Sequence, residues 1–257
     1  MKVFLLFCFR CIIFSEVAME IPNWMYDKPI AHRGYFNEAS PENSLGAFQN
    51  AIDRGFAVEL DVQILKDDTL IVFHDENFKR MTGKDLSIYE ATYEDIKDLR
   101  LLDTDEKIPL FDEFLELIRG QIPLMIEFKN ETTSNRLEER GYEALKSYQG
   151  PYIIQSFNPL SVWWFKKHAP HIVRGQLSYD YNDASFFKRW FLSNVYGNIV
   201  TRPHFVIYDI KALDSKVIKR LKKRSMPLFS YTAKSLESYR YAIDQSVPAC
   251  FEGFDPE

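Results

Sequence analysis

The alternation of short apolar runs with longer segments of helical period constrains the fold of this chain most strongly. From Pro29 onward, runs rich in β-branched and aromatic residues recur, and most are followed by a segment whose apolar residues lie three and four positions apart. This alternation is typical of repeated βα units with a parallel sheet. The eight runs are residues 29–34, 57–63, 70–75, 123–129, 152–157, 172–178, 205–210 and 227–232.

Eight such strands predict a closed barrel. A chain of 257 residues, 46% of them hydrophobic, is long enough to bury one large core. The second and third runs are too close together for a helix between them, whereas residues 76–108 form a long connection after the third run. We therefore expect residues 19–257 to form a single domain, a (β/α)8 TIM barrel with a small cap inserted at residues 76–108.

The first 18 residues are mostly apolar but carry Arg10 within the apolar run. They are short for a bilayer-spanning helix, and Glu16 stands where a signal-peptide cleavage site needs a small residue. Three interpretations remain open: an over-extended terminus before Met19, a membrane-associating or secretory segment, and a helix at the base of the barrel. We treat residues 1–18 as an N-terminal extension outside the domain.

The net charge of −5 gives no global positive field, so nucleic acid is not an expected partner, although a local basic pocket could bind one phosphate. The three cysteines do not form the spaced framework of a disulfide-rich secreted protein. A cytoplasmic location is therefore expected, with membrane association or export through residues 1–18 as the alternative. Membrane contact is expected only through that segment, and the sequence predicts no oligomeric state.

Acidic residues alternate with apolar ones in the second run, and a third acid, Glu127, lies near the end of the fourth. Because alternate strand residues share a face, Glu59 and Asp61 should both point into the barrel. Buried carboxylates that converge need a cation or a shared proton, and hard oxygen ligands suit Ca²⁺ or Mg²⁺. The alternative is a set of solvated charges or salt bridges to Arg33 and Lys129. Their position at strand carboxyl ends, where barrel enzymes carry their chemistry, favours a metal site.

Two histidines, His32 and His74, close the first and third runs on either side of the acidic second run. Phosphodiester cleavage by general acid and base needs such a pair, because one imidazole removes the nucleophile's proton while the other protonates the leaving alkoxide. The alternative for each is a hydrogen-bonded core histidine. Their polar neighbours in the sequence favour the catalytic interpretation.

Five motifs in sequence order, AHRGYFNEASPENSLGAF, VELDVQ, VFHDE, IEFKN and IQSFNP, closely resemble those of the glycerophosphodiester phosphodiesterase family. The similarity covers nearly all of residues 19–257. The resemblance implies a barrel enzyme that uses a divalent cation, Ca²⁺ or Mg²⁺, to hydrolyse small glycerophosphodiesters. It further implies a substrate-assisted reaction through a cyclic phosphate, with an alcohol and sn-glycerol 3-phosphate as products.

The same resemblance assigns roles to individual residues, without deciding which histidine is the base. It implies catalytic roles for His32 and His74 and metal ligation by Glu59, Asp61 and Glu127. It implies phosphate or substrate binding by Arg33, Lys129, Gln155, Phe157 and Tyr231, and a supporting role in the first loop for Glu42 and Asn43. For Phe157 and Tyr231, packing in the core is an equal alternative.

Two departures from the family pattern bear on substrate preference more than on chemistry. The family usually carries a tryptophan where this chain has Tyr231, and its usual ending, an apolar strand closed by Thr-Asp and Pro, is replaced by ACFEGFDPE. Two other functions stay open. A phospholipase of the sphingomyelinase D or phosphatidylinositol-cleaving type would not release glycerol 3-phosphate, and a catalytically silent phosphodiester-binding barrel would not need the full set of polar residues.

Overall fold

The computed structural model describes residues 19–182 and 185–257, apart from the side chain of Lys188. Its centre is one sheet of nine strands, counted over these residues. The strands are β1 (Ile30–His32), β2 (Ala57–Ile64), β3 (Leu70–Val72), β4 (Leu124–Phe128), β5 (Tyr152–Ser156), β6 (Arg174–Ser178), β7 (Phe205–Asp209), β8 (Leu228–Ala233) and β9 (Ala249–Phe251).

Helices surround the sheet and close its base. They are α1 (Trp24–Asp27), α2 (Leu45–Arg54), α3 (Lys79–Thr82), α4 (Tyr93–Ile96), α5 (Phe111–Ile118), α6 (Arg136–Leu145), α7 (Pro159–His168), α8 (Phe186–Ser193), α9 (Asn198–Thr201), α10 (Lys216–Lys223) and α11 (Leu236–Asp244). Local signals set their ends: Ser44 accepts the N–H of Ala47 at the start of α2, and Gly55 ends that helix with φ of 66°.

Eight of the strands run parallel and close into a barrel. Their order is β1-β2-β4-β5-β6-β7-β8-β9, and β9 pairs back onto β1, with Ile30 opposite Cys250. The predicted (β/α)8 TIM barrel is therefore confirmed. One strand, β3, lies outside it and runs antiparallel to the end of β2, with Val72 opposite Val62.

Two strand assignments made from the sequence are wrong. The run at residues 70–75 is not the third barrel strand, because a connection too short for a crossover can only fold back as an antiparallel hairpin. The barrel's final strand is instead β9, whose three residues are too few to show a period. The run at residues 227–232 is consequently the seventh barrel strand rather than the eighth.

The segment from residue 76 to residue 108 follows β3 and contains α3 and α4. It packs around an apolar cluster of its own, which includes Phe78, Met81 and Ile88. Helix α3 also carries Arg80, which bonds Glu42 in the loop after β1. The segment therefore contributes to the wall of the barrel mouth.

Inside the barrel, side chains change from apolar at the amino end of the strands to polar at the carboxyl end. Alternate residues of a strand share a face, so the inward-facing side chains of the strands form rows, and each row lies two residues further along the strands than the one below it. The lower row is apolar and includes Ile30, Ala57, Met125, Ile153 and Cys250. Two residues further along these strands come His32, Glu59, Glu127, Gln155 and Glu252. The barrel therefore presents a polar floor at its carboxyl mouth.

Residues 1–18, predicted to be an N-terminal extension, lie outside the described part of the chain. Among the residues the structure describes, no helix is both long enough and apolar enough to cross a membrane.

Candidate active site

Three carboxylates meet at the carboxyl mouth. Glu59 and Asp61 share the inner face of β2, and Glu127 lies on β4 directly opposite Asp61. One oxygen of each lies within 4.8 Å of the others. The three residues are 2%, 1% and 7% exposed. The structure thus brings together the acids that the sequence predicts to be metal ligands.

This cluster holds more negative charge than its surroundings neutralise. Burial raises the pKa of Glu59 well above its usual range, and the charges on Asp61 and Glu127 raise it further. Burial likewise raises the pKa of Glu127, although Lys129 opposes the shift. Burial also disfavours the Asp61 anion, but Lys129 and other nearby cations hold the pKa of Asp61 below its usual range. A further cation is needed for all three to be ionised together.

The donor set fits a divalent cation. Besides the three carboxylates, two buried amide oxygens, Asn43 Oδ1 and Gln155 Oε1, have no hydrogen-bond partner. The amide nitrogens of these residues donate to the acids, from Asn43 to Asp61 at 2.9 Å and from Gln155 to Glu59 at 3.3 Å. An all-oxygen set of this kind suits a hard ion such as Ca²⁺ or Mg²⁺.

On one side of the acids, His32 ends β1 with its Nε2 atom 3.9 Å from Glu59. Its Nδ1 atom lies 2.5 Å from Glu252 Oε2, and the other oxygen of Glu252 lies 2.7 Å from Lys234 Nζ. Burial disfavours the Glu252 anion, yet the bonds to His32 and Lys234 lower the pKa of Glu252 to about 2. A charged carboxylate therefore accepts the Nδ1 proton and turns Nε2 toward the acids.

On the other side, His74 follows β3, with its Nδ1 atom 2.7 Å from Asp75 Oδ1. The second oxygen of Asp75 accepts a 2.6 Å bond from Arg80. Burial lowers the pKa of His74, with Lys129 and Arg33 adding to the effect. The two histidines are thus held alike, each by a carboxylate that is itself bound by a cationic side chain.

The loop after β1 holds Arg33 at the mouth. Its guanidinium bonds Glu42 at 2.7 Å, and its Nε atom lies 3.4 Å from Asp61. Arg33 and Asn43 both adopt a φ of 58°, a left-handed conformation that non-glycine residues keep only where the surroundings enforce it. Next to Arg33, Gly34 has a φ of 82°, and a Cβ there would lie 3.0 Å from Ala47. The backbone of this loop therefore orients the side chains of Arg33 and Asn43 toward the acids.

A cavity of about 480 Å³ opens above the acids and is bordered by both histidines. Phe157 and Tyr231 form one wall, with ring centroids 5.8 Å apart and edge to face, and the Tyr231 hydroxyl donates to Ser178 O at 3.0 Å. Lys129 lies just past the carboxyl end of β4, with its Nζ atom 3.0 Å from Glu127 and 3.6 Å from Asp61. The predicted site residues therefore all lie at one mouth.

Four further residues at the mouth have no assigned role from the sequence: Asp75, Arg80, Lys234 and Glu252. Asp75 adjoins His74, so the sequence did carry a signal for it. Glu252 follows the three-residue strand β9, and Arg80 lies in the inserted segment. Their proximity to the histidines depends on barrel closure and on packing of the insert, neither of which a local pattern reveals.

Buried acids between two carboxylate-held histidines, at the carboxyl face of a parallel barrel, define the active site of an α/β-barrel enzyme. Comparison with known proteins shows which family of barrel enzymes the chain resembles. The glycerophosphoryl diester phosphodiesterase family model matches residues 32–251. The chain belongs to that family.

Among its relatives, a glycerophosphodiester phosphodiesterase of Caldanaerobacter subterraneus subsp. tengcongensis is 31% identical and covers 89% of this chain and 94% of its own. The solved glycerophosphodiester phosphodiesterase of Thermotoga maritima matches with a TM-score of 0.67 and 26% identity, over 87% of this chain and 92% of its own. An Oleispira antarctica phosphodiesterase in complex with the product sn-glycerol-3-phosphate shares the fold, with a TM-score of 0.75 and 23% identity over 89% and 94% of the two chains.

Proposed function

We propose that this chain hydrolyses glycerophosphodiesters to an alcohol and sn-glycerol 3-phosphate with the help of a divalent cation. The observation that carries the proposal is the convergence of three buried carboxylate oxygens within 4.8 Å, with a histidine on either side. Family membership and the names of the relatives support the substrate class. The cavity of about 480 Å³ is of the size that small-molecule sites have.

Glu59, Asp61 and Glu127 would hold the cation, Ca²⁺ or Mg²⁺, with Gln155 and Asn43 presenting further oxygens beside them. When bound, such an ion supplies positive charge to a phosphate oxygen and to the attacking hydroxyl. Arg33 adds a fixed guanidinium at the same mouth, oriented by Glu42. Lys129, beside Asp61 and Glu127, contributes a second fixed positive charge, and both cations favour the charge that builds on the phosphate oxygens in the transition state.

The two histidines exchange protons with the substrate. One accepts the proton of the glycerol 2-hydroxyl, whose oxygen then attacks phosphorus to form a cyclic phosphate. As the bond from phosphorus to the leaving alcohol breaks, the other histidine donates its proton to the departing oxygen. Water then adds to phosphorus and opens the ring, with the two histidines in reversed roles, to give sn-glycerol 3-phosphate.

Phe157 and Tyr231 would bound the part of the cavity that receives the leaving alcohol. Their edge-to-face contact at 5.8 Å and the Tyr231 bond to Ser178 fix the shape of that wall. A wall of this kind discriminates among leaving alcohols by their shape and takes no part in the proton transfers.

The proposal is tested by following glycerophosphocholine with ³¹P nuclear magnetic resonance in the presence of Mg²⁺ or Ca²⁺. We expect its signal to be replaced by that of glycerol 3-phosphate, with a cyclic phosphate as a transient. A diester that lacks the 2-hydroxyl should not react, because it has no internal nucleophile. Accumulation of choline phosphate, or no conversion with either ion, would contradict the proposal.

A further inference from the structure

Helix α8 presents an aromatic face to solvent. Phe186, Phe187, Trp190 and Phe191 are 75%, 79%, 52% and 42% exposed. Their spacing places all four on one side of the helix. At about 200 Å² for each aromatic side chain, they leave on the order of 500 Å² of apolar surface uncovered, which is at the upper end for one patch on a soluble protein. We call these four residues the aromatic face.

Helix α8, which carries the aromatic face, follows β6 at the carboxyl side of the barrel. Two hydrogen bonds hold the end of α8 there, from Ser178 Oγ to Leu192 O at 2.9 Å and from the Tyr208 hydroxyl to Ser193 O at 3.0 Å. A groove of about 550 Å³, lined by both Leu192 and Phe157, runs alongside. Since Phe157 also lines the catalytic cavity, the groove and the cavity share a wall.

The charge of this region is opposite to that of the chain as a whole. Residues 159–202 contain six Lys and Arg against two Asp and Glu, a net charge of +4, in a chain whose net charge is −5. One of the six, Arg174, is fully buried, whereas Lys166, Lys167, Arg189 and Arg202 are half-buried or exposed. Basic residues in the same segment as exposed Phe and Trp are the composition of sequences that lie in the interface of anionic membranes.

We propose that the aromatic face docks on an anionic lipid bilayer and brings the catalytic mouth next to the membrane surface. The charge pattern favours this occupant over a second copy of the chain, because a symmetric pair would place two basic regions against each other. From the sequence, membrane contact is expected only through residues 1–18. The aromatic face is a separate docking element, and its role in docking does not depend on the reaction proposed above.

The test is co-sedimentation of the full chain with vesicles made either of phosphatidylcholine alone or of phosphatidylcholine and phosphatidylglycerol in equal parts. We expect binding to the phosphatidylglycerol vesicles, weaker binding to phosphatidylcholine alone, and weakening by salt. The variant Phe186→Ser/Phe187→Ser should bind at least about tenfold more weakly, because it removes two side chains that would enter the interface.

The control is Leu102→Ser/Ile243→Ser, which removes two apolar side chains, 54% and 50% exposed, outside the aromatic face. It should bind vesicles like the unaltered chain. All three proteins should show the same melting temperature, since none of the four side chains lies in the core. Every protein retains residues 1–18, so a difference between variants reports on the aromatic face alone.

Three results would overturn the proposal. Equal binding by all three proteins would assign docking to another part of the chain, and no binding by any would remove docking altogether. A change of oligomeric state in Phe186→Ser/Phe187→Ser, with vesicle binding unaltered, would identify the aromatic face as a contact between copies.

Discussion

Replacement of Glu252 by glutamine isolates the role of the carboxylate behind His32. Glutamine has the same shape and can still accept a hydrogen bond from His32 Nδ1, but it carries no charge. The bond is short, 2.5 Å, and joins side chains that are 13% and 16% exposed. If His32 gains a proton during the reaction, Glu252 stabilises the resulting imidazolium, as the buried aspartate of a catalytic triad does.

A hydrogen bond to a charged group contributes about 1.5–3 kcal/mol when it is protected from water, about 1–1.5 kcal/mol more than the neutral bond that glutamine keeps. At about 1.4 kcal/mol for each factor of ten, this difference predicts a kcat lower by roughly 5- to 10-fold. KM should change by less than about twofold, because both Glu252 oxygens are already engaged, one by His32 and one by Lys234. Glu252→Asp should recover part of the rate, since it restores the charge at a longer reach.

The assay is steady-state release of glycerol 3-phosphate from glycerophosphocholine at saturating divalent cation. Glu237→Gln is the matched control, because this exposed glutamate on α11 undergoes the same chemical change without lining the cavity. Lys234→Ala should cost less than about fivefold, because its ion pair is solvent-exposed. A kcat for Glu252→Gln within about twofold of the unaltered chain would refute the positioning role.

His32→Ala and His74→Ala should each lower kcat by at least about a hundredfold with the melting temperature unchanged, and near-normal turnover in either folded variant would remove it from the acid/base pair. Chelation should abolish turnover and, for an ion at a hundred times its Kd, lower the melting temperature by roughly 5–10 °C in a scanning calorimeter; no change in either would mean that the acids bind no metal. Tyr231→Trp should alter relative rates for choline, ethanolamine and glycerol diesters by a few-fold, and identical ratios would show that Tyr231 is only packed. A chain that begins at Met19 should fold and turn over like the full chain; aggregation, or a melting temperature lower by more than about ten degrees, would show that residues 1–18 belong to the fold.

The positions of Glu59, Asp61 and Glu127 follow from sequence, because a strand has a fixed period of two and a parallel barrel collects strand ends at one mouth. His32 follows for the same reason. His74 reaches the mouth by another route, since β3 is an antiparallel strand outside the barrel. The antiparallel pairing of β3 with β2 follows from the short connection between the two strands and is not revealed by the apolar pattern of residues 70–75.

The residues that the sequence did not reveal are those whose role depends on distant closure. Glu252 lies 220 positions from His32, and only the pairing of β9 with β1 brings them into contact. Arg80 reaches Glu42 across 38 positions, because the insert packs against the loop after β1. No local periodicity encodes either contact, so Glu252 and Arg80 could not be predicted from the sequence.

The catalytic roles of the acids and histidines are tested by four reactions on glycerophosphocholine, each coupled to glycerol-3-phosphate dehydrogenase. These are the unaltered chain with Mg²⁺ or Ca²⁺, the same chain with chelator, the Glu59→Gln/Glu127→Gln variant with cation, and the His32→Ala/His74→Ala variant with cation. We expect glycerol 3-phosphate from the first reaction only. Sustained release in the presence of chelator, or from either folded variant, would contradict the assignment of the acids and histidines as the catalytic centre.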